Sequence, residues 1–218
     1  MRLGTWFCLA DFGAQYGVYN SASLADSARK PAWWQLRWEA VVGSDSGNLS
    51  HNADFETGSM QNWTTFGATD GAQSGTWFGG ITARGGGWFY GAAANFGVKN
   101  GGAYQRFHAA PGQRVRAGAH IRTYREGGSF GNTACRVGID PAGGTNPAAA
   151  SVVWSEALEN QGAWRPLCVE TGATANMVTV FLRHDQAAPT WNVCCFDDVA
   201  VLGVTAFAPV TLAAFAAD

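Results

Sequence analysis

Three carboxylates and one histidine are the residues whose setting suggests chemistry. Glu56 follows Phe55 in NADFETGSMQNW (residues 52–63), and Asp197 and Asp198 lie inside the apolar run NVCCFDDVAVL (residues 192–202). Read as a strand, the second stretch puts Val193, Cys195, Asp197, Val199 and Val201 on one face and Phe196, Asp198 and Leu202 on the other. Whichever face is core, one aspartate then points inward, and a lone buried carboxylate is unfavourable unless paired or metal-bound. If Glu56 opens the first strand and the two strands are neighbours, a cation between the acids would offset their repulsion. Oxygen-only ligands favour Ca²⁺, with backbone carbonyls filling the remaining positions. The alternative places these acids at sheet edges, facing water. His120, on the polar face of its strand, has the chemistry of a base, but no Ser or Cys nucleophile is placed beside it in the sequence.

The elements that must hold these groups are strands. In QRVRAGAHIRTYRE (residues 113–126), Val115, Ala117, Ala119, Ile121 and Thr123 fall on one face, and Arg114, Arg116, Gly118, His120, Arg122 and Tyr124 on the other. That alternation describes a strand with one buried and one polar face. Further short runs follow at 75–81, 87–93, 102–109, 134–140, 151–157, 164–170, 176–184 and 191–202, separated by turn signals such as APGQ, DPAGGTNP and NQGA. Many short strands at regular spacing predict a sandwich or barrel. Residues 1–45 read differently: a short apolar run, then a helical period from Pro31 through Trp33, Trp34, Leu36, Trp38 and Val41. The segment GSDSGNLS (residues 43–50) breaks that pattern and marks a domain boundary. The expected architecture is therefore all-β, with a short N-terminal strand–helix appendage at 1–45, a sandwich at 48–204 and a tail at 205–218.

Composition narrows the function classes. The formal net charge is −2 over 218 residues, which argues against general binding to nucleic acid or an anionic membrane. No apolar run reaches the length of about 20 residues that a membrane span needs, and residues 1–10 are too short and polar for a signal peptide. Gly numbers 29, which suits many turns, and Trp numbers 10, which suits surfaces that stack on flat ligands as well as cores. The five cysteines, Cys8, Cys135, Cys168, Cys194 and Cys195, include no C-x-x-C pair, so a zinc site is not expected. A bridge from Cys168 to Cys135 or to Cys194 and a set of buried thiols are both compatible with the spacing.

The ordered set NADFETG…NW, GAYQRF, RVRAGAHIRT, GIDPAGGTNP…VVWS, WRPLCVE, VTVFLR and CFDDVAVL resembles a carbohydrate-binding module of the families 4, 9 and 22 type, over about residues 48–204. The resemblance implies a β-sandwich jelly roll appended to a secreted glycosidase. It also implies a structural Ca²⁺ held by Glu56 and Asp197, with Asp198 as a further ligand, and no catalytic role for any of them. Sugar recognition in such folds sets aromatic faces against pyranose C–H surfaces. Candidates here are Trp77, Phe78, Trp88, Tyr90, Tyr124, Trp154 and Trp191, with His120 and Arg122 sharing the polar face of Tyr124. Each aromatic also has a plain packing role open to it, and Trp164 is the most core-like. Trp88 and Tyr90 alternate with Phe89, so one of these two sets must be exposed or covered by a loop.

A second resemblance lies in TWFCLADFGAQYGVYNSASLADSARKPAWWQL, which is similar to the last strand, loop and helix of a glycoside-hydrolase (β/α)₈ barrel. A whole barrel takes about 250 residues, so the catalytic carboxylates of such an enzyme are not expected in this chain. The leading expectation is a non-catalytic module that binds poly- or oligosaccharide and targets a catalytic glycosidase domain, outside the cell or at its surface. The alternatives are a structural jelly roll of a cell-surface or phage-associated protein, and a glycan-active enzyme fragment.

Overall fold

The computed structural model describes residues 48–77, 80–125, 133–159, 162–187 and 190–204. The expected appendage at 1–45, the tail at 205–218, Phe78 and Cys8 all lie outside the described residues. Within them the fold is an all-β jelly-roll sandwich of eleven strands in two antiparallel sheets. The strands are β1 (Thr64–Gly67), β2 (Ala72–Ser74), β3 (Trp88–Ala94), β4 (Lys99–His108), β5 (Arg114–Arg125), β6 (Thr133–Asp140), β7 (Val153–Trp154), β8 (Leu158–Glu159), β9 (Arg165–Gly172), β10 (Met177–Gln186) and β11 (Asn192–Val204). The first sheet runs β1-β4-β10-β6-β7, with β8 also on β6, and the second runs β2-β3-β11-β5-β9. No helix among the described residues is long and apolar enough to cross a membrane.

Alternation builds the core directly. Val115, Ala117, Ala119 and Ile121 from β5 meet Val178, Val180 and Leu182 from β10 and Cys135, Val137 and Ile139 from β6. Each side chain is essentially solvent-free, so period-two apolar positions from both sheets interdigitate in a single layer. All four described cysteines are buried, and Cys135 and Cys194 are free thiols, so neither expected bridge to Cys168 forms.

Two features of the chain depart from the sequence expectation. Glu56 does not open a strand. Asn52, Phe55 and Asn62 take positive φ values of 50°, 58° and 69°, and residues 51–63 fold into turns. Such φ values interrupt the extended backbone. The segment nonetheless lies along β11, as expected of neighbours: Leu49 N donates to Val201 O at 2.8 Å and Val199 N to Ala53 O at 2.8 Å. In β11 itself, the pairing with β5 shifts register between Asp197 and Ala200, and Asp198 takes φ 47°. This bulge inserts one extra residue in β11 and resets the alternation. Val193, Cys195 and Asp197 therefore face outward, whereas Cys194, Phe196, Val199 and Val201 face the core. Neither aspartate points into the sandwich core.

Candidate functional site

The outward face of the second sheet carries two distinct constructions side by side. One is the carboxylate group that the sequence singles out. The other is a cleft lined by tryptophans.

Glu56, Asp197 and Asp198 converge on the glycine-rich loop at 84–88. Glu56 Oε1 accepts the N–H groups of Gly87 and Trp88, both at 2.8 Å. Asp197 Oδ2 accepts those of Arg84 at 2.8 Å and Gly85 at 3.4 Å, and Oδ1 accepts the N–H of Asp198 at 2.8 Å. The Arg84 guanidinium pairs with Asp198 Oδ2 at 2.5 Å. The loop thus covers Asp197, which is fully buried although it faces away from the core. Burial, and secondarily the adjacent Asp198 charge, push the Asp197 carboxyl up to about 7, against the opposing pull of its three backbone donors. His120 stands opposite Asp197 in register, is itself buried, and is pushed down to about 3, first by burial and then by the Arg84 charge.

Glu56 Oε1 and both Asp197 oxygens accept N–H groups, and Arg84 supplies positive charge at Asp198 Oδ2. Among the described residues, no group of three or more His, Cys, Asp or Glu side chains is placed to hold a metal ion. The three acids anchor a loop.

The cleft lies on the β2–β3–β11 side of the same face. Its volume is about 550 Å³, and Trp77, Trp191 and Ala93 line it together with Asp70, Gln73, Asn95 and Lys99. Trp77 belongs to a short excursion after β2, closed by reciprocal backbone bonds with Ile81 at 2.8 and 2.9 Å. Its indole packs against Gly91 of β3, where a Cβ would come within 2.7 Å of the ring, so only glycine permits this placement. Trp191 sits just ahead of β11 and is packed by Tyr124 at 5.4 Å between ring centroids. At the polar wall, Lys99 Nζ donates to Asp70 Oδ1 at 2.5 Å and to Ala93 O at 2.9 Å, while Asp70 Oδ2 accepts Ala93 N at 2.8 Å. That wall is therefore preset. Beyond Tyr124 along β5 lies Arg122, half-buried, with its Nε lacking a hydrogen-bond partner among the described residues.

The structure brings Trp77, Trp191, Tyr124 and Arg122 onto one face and leaves four of the expected site residues elsewhere, Trp154 among them on β7 of the other sheet. Tyr90 is a core residue, fully buried, stacked on Phe196 at 5.5 Å and hydrogen-bonded to Thr69. Burial raises its phenol pKa, and no ring face is left for a ligand. His120 is also buried, and at 2% exposure it offers nothing to a ligand. Trp88 is half-buried against the core edge and over Gly58, where a Cβ would meet its ring at 3.0 Å. Phe89 is the ring covered by a loop: it packs with Trp77 and with Trp164, whose indole N–H donates to Thr82 O at 3.1 Å. Trp164 is thus part of an outer cluster and not of the main core. Sequence reasoning missed Asp70, Gln73, Asn95 and Lys99. The only signal for them was their position at strand ends flanking Trp77 and the alanine-rich run of β3.

No family model and no curated protein matches the sequence. Solved structures do match. The carbohydrate-binding module TmCBM61, solved in complex with β-1,4-galactotriose, is similar with a TM-score of 0.53 at 14% identity, over 72% of this chain and 99% of that one. The xylan-binding domain CBM22-1 of Paenibacillus barcinonensis Xyn10C is similar with a TM-score of 0.50 at 13% identity, over 71% and 94%. The enzymatically active domain of tailspike protein 4 from bacteriophage CBA120 has a TM-score of 0.55 at 11% identity, over 74% of this chain but only 22% of that one. At such identities the likeness establishes the sandwich fold that carbohydrate-binding modules share.

Proposed function

We propose that the protein binds a neutral poly- or oligosaccharide in the Trp77–Trp191 cleft, without catalysing a reaction on it. The observation that carries this reading is the convergence of two partly exposed indoles with carboxylate, amide and ammonium groups on one cleft of about 550 Å³. Indole faces suit the C–H surfaces of pyranose rings, and a few fixed polar groups set orientation through hydroxyls. The fold shared with modules that bind galactotriose and xylan supports the same class of ligand. Glu56, Asp197 and Asp198 hold the 84–88 loop, which supports a non-catalytic role for them. In this proposal the protein acts outside the cell or at its surface, and brings a glycoside hydrolase to its polymer.

Affinity electrophoresis in native gels containing β-1,4-galactan or xylan tests the binding. The parent protein is expected to be retarded by at least one of them, and Trp77→Ala or Trp191→Ala to migrate as in a polymer-free gel. Unretarded migration of the parent on these and other neutral glycans would overturn the reading.

A further inference from the structure

Between the two sheets lies a pair of thiols that the cleft does not use. Cys135 of β6 and Cys194 of β11 come from opposite sheets, and both point into the shared core with no solvent exposure. Cys194 Sγ lies 3.9 Å from the carbonyl oxygen of Ala134, the residue just before Cys135. The Cys135 thiol is itself within side-chain hydrogen-bonding reach of Cys194. Immunoglobulin-type sandwiches carry their inter-sheet bridge between two inward-facing cysteines in the same way.

The other two described cysteines are turned the other way. Cys195 belongs to the outer cluster and stands opposite Gly91 and Arg122 in register. Cys168 stands opposite Gly118, between Leu167 and Val169, which face the core. Alternation therefore directs both away from the sandwich interior. Among the described cysteines, Cys135 and Cys194 alone meet across the core.

In the closed sandwich this pair is inert. Burial raises the Cys135 thiol well above its ordinary range, so it stays protonated, and the thiolate is the form that reacts. Exchange must then take place while the sheets are still apart, on the folding chain.

We propose that Cys135 and Cys194 are an oxidation site: in an oxidising compartment they form a disulfide that ties the two sheets together and stabilises the sandwich. The oxidant is the disulfide of a protein disulfide oxidase. The thiolate of one cysteine attacks that disulfide, forming a mixed disulfide and releasing one oxidase thiol. The thiolate of the other then displaces the second oxidase sulfur. The chain loses two protons and two electrons, and the oxidase disulfide becomes a dithiol. The bridge closes a long loop and so restricts the unfolded chain. Once the sheets close, it is shielded from reductants as the thiols are from oxidants. The site is independent of sugar binding.

The full chain is made in two ways, by export to a bacterial periplasm and by synthesis in a reducing cytosol. Each preparation is alkylated and digested with trypsin without reductant. Cleavage after Arg125, Arg136 and Arg183 puts Cys135, Cys168 and the Cys194–Cys195 pair on three different peptides. Mass spectrometry of the exported chain is expected to show the Cys135 peptide joined to the Cys194–Cys195 peptide. That link is expected to persist in Cys195→Ala and to vanish in Cys194→Ala. The exported parent is also expected to melt several degrees above the cytosolic one. Alkylated Cys135 in the exported parent, a link from Cys135 to Cys168, a link retained in Cys194→Ala, or equal melting of the two preparations would overturn the proposal. The peptide map of the parent decides the first two outcomes even where a variant fails to fold.

Discussion

Asp197 accepts three backbone N–H groups and yet titrates near neutrality, because burial and the neighbouring Asp198 outweigh those donors. A carboxyl raised from 3.8 to about 7 keeps its proton in the folded state over a range where the unfolded chain has released it. Its contribution to stability therefore falls as pH rises between about 4 and 7. Two histidines act in the opposite sense. His120 is lowered from 6.5 to about 3, and His184, inside the sandwich with its Nε2 2.9 Å from Thr69 Oγ1, to about 4, in both cases chiefly by burial. Below pH 6.5 the unfolded chain takes up protons that these rings refuse, so stability is lost on acidification. Between pH 4 and 6.5 two histidines oppose one aspartate. The melting midpoint is thus expected to peak near pH 6.5 and fall toward pH 4, and His184→Gln to flatten that fall. Thermal scans across pH check this; a midpoint that climbs steadily down to pH 4 would contradict the burial of the two rings. At this scale the sequence was a partial guide. Tyr124 and Arg122 were legible because they alternate with Ile121 and Thr123. Tyr90 was misread because alternation places it opposite Phe89 without saying which of the two faces the loop covers.

At the scale of elements, glycine placement decides where aromatic rings can lie. Gly91 beneath Trp77 and Gly138 beneath Trp154 remove the Cβ that would lift each ring off its strand. Gly91→Ala is expected to destabilise the fold by about 1–3 kcal/mol through overpacking and to weaken galactan or xylan retention, since Trp77 must move. Denaturant unfolding together with gel retardation measures both, and a variant that binds and unfolds like the parent would separate Trp77 from the cleft. Strand identity was readable from period-two runs: β5, β6, β10 and β11 fall within a few residues of their expected limits. The bulge in β11 was not, because Val199 and Val201 fit unbroken alternation as written. The register shift comes from pairing with β5, a partner that the pattern of one strand does not contain. The same holds for β1, β2 and β8, which at two to four residues carry too little periodicity to be read.

For the whole molecule, Glu56 and Asp197 tie distant segments together. Glu56 reaches Gly87 and Trp88 across 31 and 32 positions, and Asp197 reaches Arg84 across 113. With those oxygens engaged and Arg84 on Asp198, the melting midpoint is expected to be the same with a chelator as with millimolar Ca²⁺. A midpoint several degrees higher in calcium would restore the ion to the fold, since a ligand that binds the native state raises its stability by mass action. The sequence by itself determined an all-β chain, most of its strands, the inner face of β5 and the nearness of residues 48–56 to the closing strand. These follow from local periodicity, turn chemistry and the order of motifs along the chain. Only the tertiary structure decided that Asp197 faces away from the core yet is buried, that Tyr90 is inside, and that Trp77 and Trp191 share a cleft. Each of those outcomes depends on which remote loop lies across an outer sheet face, and alternation, whose range is two residues, carries no information about contacts made a hundred residues away.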